Sequence, residues 1–233
     1  MSYSDDWTDM SDYLVHFTKS GSSERKPYDN IISILSGQVL KAGSPFGAAR
    51  VQGGQEAVCL SEVPLGLLGR LVDRRSPCGI GFTKEFITGL GGSPIWYVEK
   101  DGPQHLALKR LLTEARRGGE VAPLFKITPF IDVKGDYPSS SYRWEWEREW
   151  RVAGDFRFAV EDVAFLFLPE EHHDAAWAFF TQYVVDENLG PSYSCPFLDP
   201  TWDAERIRVE LKKHAERPAL LGQARSERAR RPW

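Results

Sequence analysis

The chain has 233 residues, of which 42% are hydrophobic and 27% are charged, and these proportions are those of an ordinary globular protein. Its net charge of −4 argues against a strong general attraction to nucleic acid or to an anionic membrane surface. The apolar runs are shorter than the roughly 20 residues needed to cross a bilayer, and the acidic start lacks the features of a signal peptide. The three cysteines are widely spaced and form no metal-ligand pattern, so we expect a reduced, cytoplasmic setting and no bound metal. The short apolar runs lead us to expect no membrane association.

Hydrophobic periodicity predicts strands alternating with helices along the first half of the chain. Strands are expected in short apolar runs, at Tyr13–Thr18, Ala57–Ser61, Gly79–Phe82 and Pro94–Val98. Helices are expected where apolar residues recur three or four positions apart, at Asn30–Gly37, from Lys84 onward and at Gln104–Arg117. Thr83 fits the N-cap of the second helix, because its hydroxyl can accept a hydrogen bond from an early helical amide.

The second half continues the mixture of strands and helices. The sequence predicts strands at Trp144–Val152 and Asp162–Leu168, a helix from Pro169 to about Val185, and a last helix from Asp199-Pro200 to about Ala215. These elements indicate an α+β fold in a single domain over residues 13–215. Residues 1–12 are expected to form an N-terminal extension. Residues 216–233 are expected to form a basic, mobile tail with little to bury.

Three glutamates alternate along the predicted strand Trp144–Val152. Residues two apart on a strand point to the same face, so Glu145, Glu147 and Glu149 are expected to share one side. Unpaired carboxylates are too costly to bury in a core, and this face therefore suggests a polar cleft. The alternative is that these glutamates pair across strands with Arg143, Arg148 or Arg151, and the pattern leaves open which glutamate is functional.

Two further places carry polar side chains on strands. His16 and Thr18 share one face of the first strand and could donate hydrogen bonds to a ribose hydroxyl and a carboxamide. Ser61 ends the strand Ala57–Ser61, where hydroxyls that contact ligands often lie. Lone histidines are more often structural than functional, so both interpretations of His16 stay open.

The order of several short motifs resembles the AbiGi family of abortive-infection proteins, which act in bacterial phage defence. The motifs are His-Phe-Thr at 16–18, an Ile-Leu helix ending at Gly37, Val-Cys-Leu-Ser-Glu at 58–62, Gly-Ile-Gly-Phe-Thr-Lys-Glu at 79–85, Ile-Trp-Tyr-Val at 95–98, Glu-Arg-Glu-Trp-Arg-Val at 147–152 and a Val-x-Phe strand before Pro169. More distantly, the chain looks like the DarT-type ADP-ribosyltransferases. The resemblance covers Tyr13 to Pro169, and residues 57–62 and 147–152 are its most specific parts.

The resemblance implies an ADP-ribosyltransferase-like split, mixed β-sheet flanked by helices, with NAD bound in a cleft. It implies that Glu149 binds the ribose 2′-hydroxyl and stabilises an oxocarbenium-like transition state. Glu147 shares the predicted strand face, so it stays open as the catalytic residue in place of Glu149. The residues expected to contact NAD are His16, Thr18, Arg50, Ser61, Phe82 and Phe86, with the two phenylalanines stacking on nicotinamide and Arg50 near the diphosphate or the acceptor. His16 and Glu149 are expected to lie on neighbouring strands and to face one cleft.

The expected function is that of an NAD-dependent ADP-ribosyltransferase of phage defence or of a toxin–antitoxin system. Its acceptor would be a nucleic acid or a protein, and its partner a cognate toxin or antitoxin. One alternative is a non-catalytic partner or antitoxin that keeps the fold. Another is a nucleic-acid-binding protein that uses the basic tail and the tryptophans.

Overall fold

The structure is a computed structural model that describes residues 10–18, 27–43, 47–49, 55–62, 64, 67, 69–72, 75–117, 123–183 and 190–214. Arg50, the predicted tail 216–233 and most of the predicted extension 1–12 lie outside the described residues.

The strands among the described residues belong to three sheets. They are β1 (Tyr13–Phe17), β2 (Val39–Leu40), β3 (Ala57–Ser61), β4 (Gly79–Thr83), β5 (Ser93–Pro94), β6 (Trp96–Glu99), β7 (Ile131–Tyr137), β8 (Ser140–Tyr142), β9 (Glu149–Ala153), β10 (Phe156–Arg157), β11 (Val163–Phe167) and β12 (Phe197–Leu198). The largest sheet has seven strands in the order β12-β11-β4-β1-β3-β9-β5, beside a three-stranded sheet β6-β7-β8 and the pair β10-β2. Because β11 and β12 are parallel while the other pairs of the large sheet are antiparallel, the sheet is mixed.

Helices lie between and around these strands. They are α1 (Pro27–Gly37), α2 (Gly69–Val72), α3 (Lys84–Gly89), α4 (Pro103–Arg117), α5 (Leu124–Ile127), α6 (His173–Ala178), which continues as a π-helical turn at Phe179–Tyr183, and α7 (residues 204–214). The hydroxyl of Thr83 accepts from the amide of Phe86, which confirms the predicted cap of α3. None of the helices among the described residues combines the length and apolar composition needed to cross a bilayer.

Apolar side chains cover both faces of the large sheet. On one face, Leu14, Ile80 and Phe82 pack with Ile31 and Leu35 of α1 in the larger core cluster. On the other face, Val15, Phe17, Phe165 and Phe167 pack with Ile207 of α7. The two layers bury the sheet on both sides, so the chain forms one compact α+β domain, as the sequence predicts.

The centre of the large sheet is split between β1 and β3. β1 pairs with β4 along its whole length, whereas it pairs with β3 only where Val15 faces Ser61. Beyond that pair, Nδ1 of His16 donates to the carbonyl oxygen of Cys59 at 2.9 Å, where a backbone amide would bond in a continuous antiparallel ladder. The two strands therefore separate from His16 onward, and the gap between them opens into a cavity.

The prediction of a continuous strand at Trp144–Val152 is wrong for the first half of that range. Glu145–Glu147 form a 3₁₀ turn, and Arg148 has φ 45° and ψ 54°, in the left-handed region. β9 begins only at Glu149. Since the left-handed residue reverses the local direction of the chain, strand alternation does not place the three glutamates on one face.

The start of the last helix also differs from the prediction. Asp199 accepts hydrogen bonds from the amides of Glu170 and Thr201, so it fixes the turn before the helix. The amide of Arg206 donates to Asp203 at 2.8 Å. Asp203 therefore caps α7, which begins at residue 204.

Candidate functional site

A cavity of about 610 Å³ opens where β1 and β3 separate. Its walls come from β1, β3 and β9, from one side of α1, and from the turn before β9. Five predicted site residues line it, namely His16, Thr18, Ser61, Glu147 and Glu149. The volume falls within the range of small-molecule and cofactor sites, roughly 300–1,000 Å³.

Glu149 is held on the cavity wall through both of its carboxylate oxygens. Nε of Arg151 donates to Oε1 at 2.9 Å, and the Tyr97 hydroxyl donates to Oε2 at 3.3 Å. Ser61 faces Glu149 directly across β3 and β9, so its hydroxyl lies on the same face of the sheet. The carboxylate therefore has a fixed orientation at the closed end of the split.

Arg151 is buried and shared between two carboxylates. Its side chain is 1% exposed, and it donates to Glu149, to the carbonyl of Pro129 at 2.7 Å and to Asp132 at 2.5 Å. Burial alone would lower the pKa of Arg151, but Glu149 and Asp132 raise it above its ordinary value. One guanidinium and two carboxylates leave this triad with a net negative charge of one.

The tyrosine hydroxyls and the cysteine thiol near Glu149 and Asp132 stay protonated at neutral pH. Burial, followed by the charge of Glu149, raises the pKa of Tyr97, and burial with the charge of Asp132 raises that of Tyr142. Cys59 lines the cavity beside Glu149, and burial together with that carboxylate raises its pKa to about 12. Cys59 is therefore a neutral thiol near pH 7, not a nucleophile.

Glu147 lies on the same cavity and has a different partner. Its side chain is 2% exposed and forms an ion pair with Arg75, whose side chain is 31% exposed. The guanidinium of Arg75 also lies 5.5 Å from the ring centre of Trp144, within the range of a cation–π contact. Glu147, Arg75 and Trp144 thus form one wall of the cavity.

The open question of how the three glutamates pair has a mixed outcome. Glu149 pairs with Arg151, one of the three arginines named in that alternative, but within its own strand and not across strands. Glu147 pairs with Arg75, and Glu145 with Lys134. Glu145 is exposed and is not among the residues that line the cavity, which leaves Glu147 and Glu149 as the candidates for a chemical role.

His16 and Glu149 face one cavity, but they do not lie on neighbouring strands, because β3 runs between β1 and β9. Val15, Ser61 and Glu149 form a row across the three strands. Glu149 therefore lies on the same face of the sheet as Val15. His16 is the next residue of β1 and points to the other face, so it reaches the cavity through the split. The Thr18 hydroxyl donates to the carbonyl of Pro27 at 2.9 Å, which ties the end of β1 to the start of α1.

The predicted stacking of Phe82 and Phe86 on nicotinamide does not fit their positions. Phe82 is 0% exposed and packs against the rings of Phe86, Phe156 and Phe158 in the core. Neither Phe82 nor Phe86 is among the cavity-lining residues. Phe82 faces the layer under α1 because β4 alternates its side chains between two buried faces, and Phe86, which lies on α3, packs against the same core cluster.

Besides His16, the aromatic side chains that line the cavity are Phe17, Tyr142 and Trp144. Sequence reasoning missed the roles of Tyr97, Asp132, Tyr142 and Arg75, which come from loops and from the small sheet. One signal was available for Arg151, since a charged residue two positions after Glu149 on a strand lies on the same face.

Within the described ranges, no group of three or more His, Cys, Asp or Glu side chains is arranged to hold a metal ion. Comparisons with protein-family models, with curated proteins and with solved structures found no match to this chain. The resemblance to the AbiGi family therefore rests on the sequence motifs alone.

Proposed function

We propose that this protein is an NAD-dependent ADP-ribosyltransferase-like enzyme that uses the cavity between β1 and β3. The observation that carries the proposal is the Glu149 carboxylate, which Arg151 and Tyr97 hold at fixed positions on the cavity wall. In the reaction, the bond between C1′ of the ribose and nicotinamide breaks, and nicotinamide leaves with the bonding electron pair. A nucleophilic oxygen or nitrogen of the acceptor then attacks C1′ and loses its proton.

The charge of the site favours this chemistry. The ribose carries positive charge as nicotinamide leaves, and a fixed carboxylate close to that charge stabilises it. Because Arg151 is shared with Asp132, the guanidinium does not neutralise Glu149 completely. Glu147 adds a second carboxylate to the cavity, although its ion pair with Arg75 offsets that charge.

The walls also suit a dinucleotide. Tyr142 and Trp144 offer aromatic surface at the end near the glutamates, where a flat nicotinamide ring could lie. Asn30, Ser33 and Lys41 offer polar and cationic groups from α1 and the segment after it, where ribose hydroxyls and phosphates could bind. The family resemblance supports a role in phage defence or in a toxin–antitoxin pair, with a nucleic-acid or protein acceptor.

The test measures NAD binding by calorimetry and nicotinamide release with bacterial lysate as the acceptor source. Glu149→Gln keeps the shape of the side chain and removes its charge, so turnover should fall by about 100-fold or more. Glu145→Gln is the matched control, because Glu145 lies in the same segment but is exposed and is not a cavity-lining residue. Circular dichroism should show that both variants fold.

Glu147→Gln decides between the two candidate carboxylates. If Glu147→Gln loses turnover and Glu149→Gln keeps it, Glu147 is the catalytic residue. If the wild type neither binds NAD nor releases nicotinamide with any acceptor, the transferase proposal is wrong, and a non-catalytic partner protein becomes the better hypothesis.

A further inference from the structure

We propose that Asp132 is a positioning residue that orients Glu149 through Arg151 and keeps the Arg151 guanidinium from neutralising the Glu149 carboxylate completely. This inference rests on the proposed function and names a residue beyond those that the proposed reaction uses directly.

The guanidinium of Arg151 links the three side chains by direct contacts. Glu149 and Arg151 lie two residues apart on β9, so both point to the same face. Nε of Arg151 contacts Glu149, while Nη2 contacts Asp132 at 2.5 Å and Nη1 contacts the Pro129 carbonyl. A guanidinium is planar and rigid, so contacts on one side of it fix where the nitrogen on the other side points.

The small sheet contributes one polar side chain from each of its strands. Tyr97 of β6 bonds to Glu149, Asp132 of β7 bonds to Arg151, and the Tyr142 hydroxyl of β8 donates to Asp132 at 2.8 Å. The seven-stranded sheet carries Glu149, but the three-stranded sheet sets the direction in which its carboxylate points.

Asp132 also sets the electrostatics. It is 4% exposed, so solvent screens its contact with Arg151 weakly. Without the Asp132 charge, Arg151 would pair with Glu149 alone and the net charge of the triad would change from −1 to zero. Positive charge on the ribose would then be stabilised less, which affects the transition state more than the bound substrate.

The experiment compares Asp132→Asn with Asp136→Asn. Asp136 lies on the same strand, β7, but is exposed and bonds to Ser141 and Arg143. For Asp132→Asn we expect kcat to fall about tenfold, a factor typical of coupled neighbours, while the NAD Kd from calorimetry stays within about twofold because uniform binding is kept. Asp136→Asn should leave both unchanged.

Two further measurements separate positioning from loss of structure. In the Glu149→Gln background, Asp132→Asn should cause no further loss of kcat, because the group through which it acts is gone. Tyr142→Phe removes the hydroxyl that holds Asp132, so it should lower kcat by a smaller factor in the same direction; this variant also serves if Asp132→Asn folds poorly.

An activity-free readout keeps the inference separate from the proposed function. The Nε–H resonance of Arg151 in a ¹⁵N–¹H spectrum, identified by its shift in Glu149→Gln, should move in Asp132→Asn and stay in place in Asp136→Asn. An unmoved resonance in Asp132→Asn overturns the inference even if the protein is an active transferase. So does a loss of NAD affinity as large as the loss of turnover. A moved resonance in a protein that does not bind NAD supports the positioning link and overturns the transferase proposal.

Discussion

The amide of Glu62 donates a hydrogen bond to the carbonyl of Arg148 at 3.1 Å. This contact joins the end of β3 to the left-handed residue that separates Glu147 from Glu149. The carboxylate of Glu62 accepts from Nε1 of Trp150 at 2.7 Å and pairs with Lys84 at 2.7 Å. Glu62 therefore holds both sides of the turn that brings Glu147 and Glu149 to one cavity.

Replacing Arg148 should show how much the left-handed backbone costs. Arg148 is exposed and has φ 45°, a conformation that is unfavourable for residues with a Cβ by roughly 1–2 kcal/mol. Both Arg148→Gly and Arg148→Ala lose the side chain, and only Gly relieves the backbone. We expect Arg148→Gly to be more stable than Arg148→Ala by about 1 kcal/mol in urea unfolding; equal stabilities would contradict a strained turn.

Gly81 should not tolerate alanine. A Cβ at this position of β4 would lie 2.2 Å from the ring of Phe165 on β11, and overpacking of a buried site costs about 1–3 kcal/mol. Gly89→Ala is the matched control, because nothing lies within 4 Å of a Cβ there. Thermal unfolding should show a clear loss for Gly81→Ala and no loss for Gly89→Ala. A wild-type melting temperature for Gly81→Ala would mean that Phe165 does not cover Gly81.

The buried ion pair of Lys84 and Glu62 should make the effects of substitutions at these two positions on stability depend on each other. Their side chains are 10% and 9% exposed, so Lys84→Met leaves a buried carboxylate without its ammonium partner. The free energy of unfolding should fall by about 3 kcal/mol. Adding Glu62→Gln removes that charge and should restore part of the loss. If the double variant is less stable than Lys84→Met by the full cost of a second substitution, the two side chains act independently.

Cys59 should report the charge of Glu149. Its pKa is raised to about 12 by burial and by that carboxylate, so at pH 8 the thiol is almost entirely protonated. In a Cys78→Ala, Cys195→Ala background, iodoacetamide should therefore react slowly with Cys59, and faster as the pH rises. Glu149→Gln removes one cause that raises the pKa, so the reaction at pH 8 should accelerate, whereas Glu145→Gln should not change it. A rate like that of free cysteine in the parent would contradict the burial.

Elements with strong local signals could be predicted from the sequence. β1, β3, β4, α4 and β11 lie within a few residues of their predicted bounds, because apolar residues in them recur with a clear period. Thr83 was identifiable as a cap because its hydroxyl acts within its own helix. These features depend on neighbours in the sequence.

The site could be predicted only in part, because its contacts join distant segments. His16, Ser61 and Glu149 were found as polar residues on strands, yet Arg75 reaches Glu147 from a loop. The alternating glutamates suggested a continuous strand. In the structure, the left-handed Arg148 separates Glu147, which lies in a 3₁₀ turn, from Glu149, which begins a strand, and both side chains line the cavity. Asp132 lies in a strand of another sheet, so periodicity in β9 carries no information about it.

The central position of β1 has a consequence for the order of assembly during synthesis. β1 leaves the ribosome first among the described strands, but its sheet partners β3 and β4 themselves pair with β9 and β11, from the second half of the chain. Pairings between such distant segments form slowly, and an incomplete sheet exposes strand edges that can pair with other chains. The nascent chain therefore carries unpaired strands until residues of β9, β11 and β12 have been made, and this window is when the protein is most exposed to aggregation.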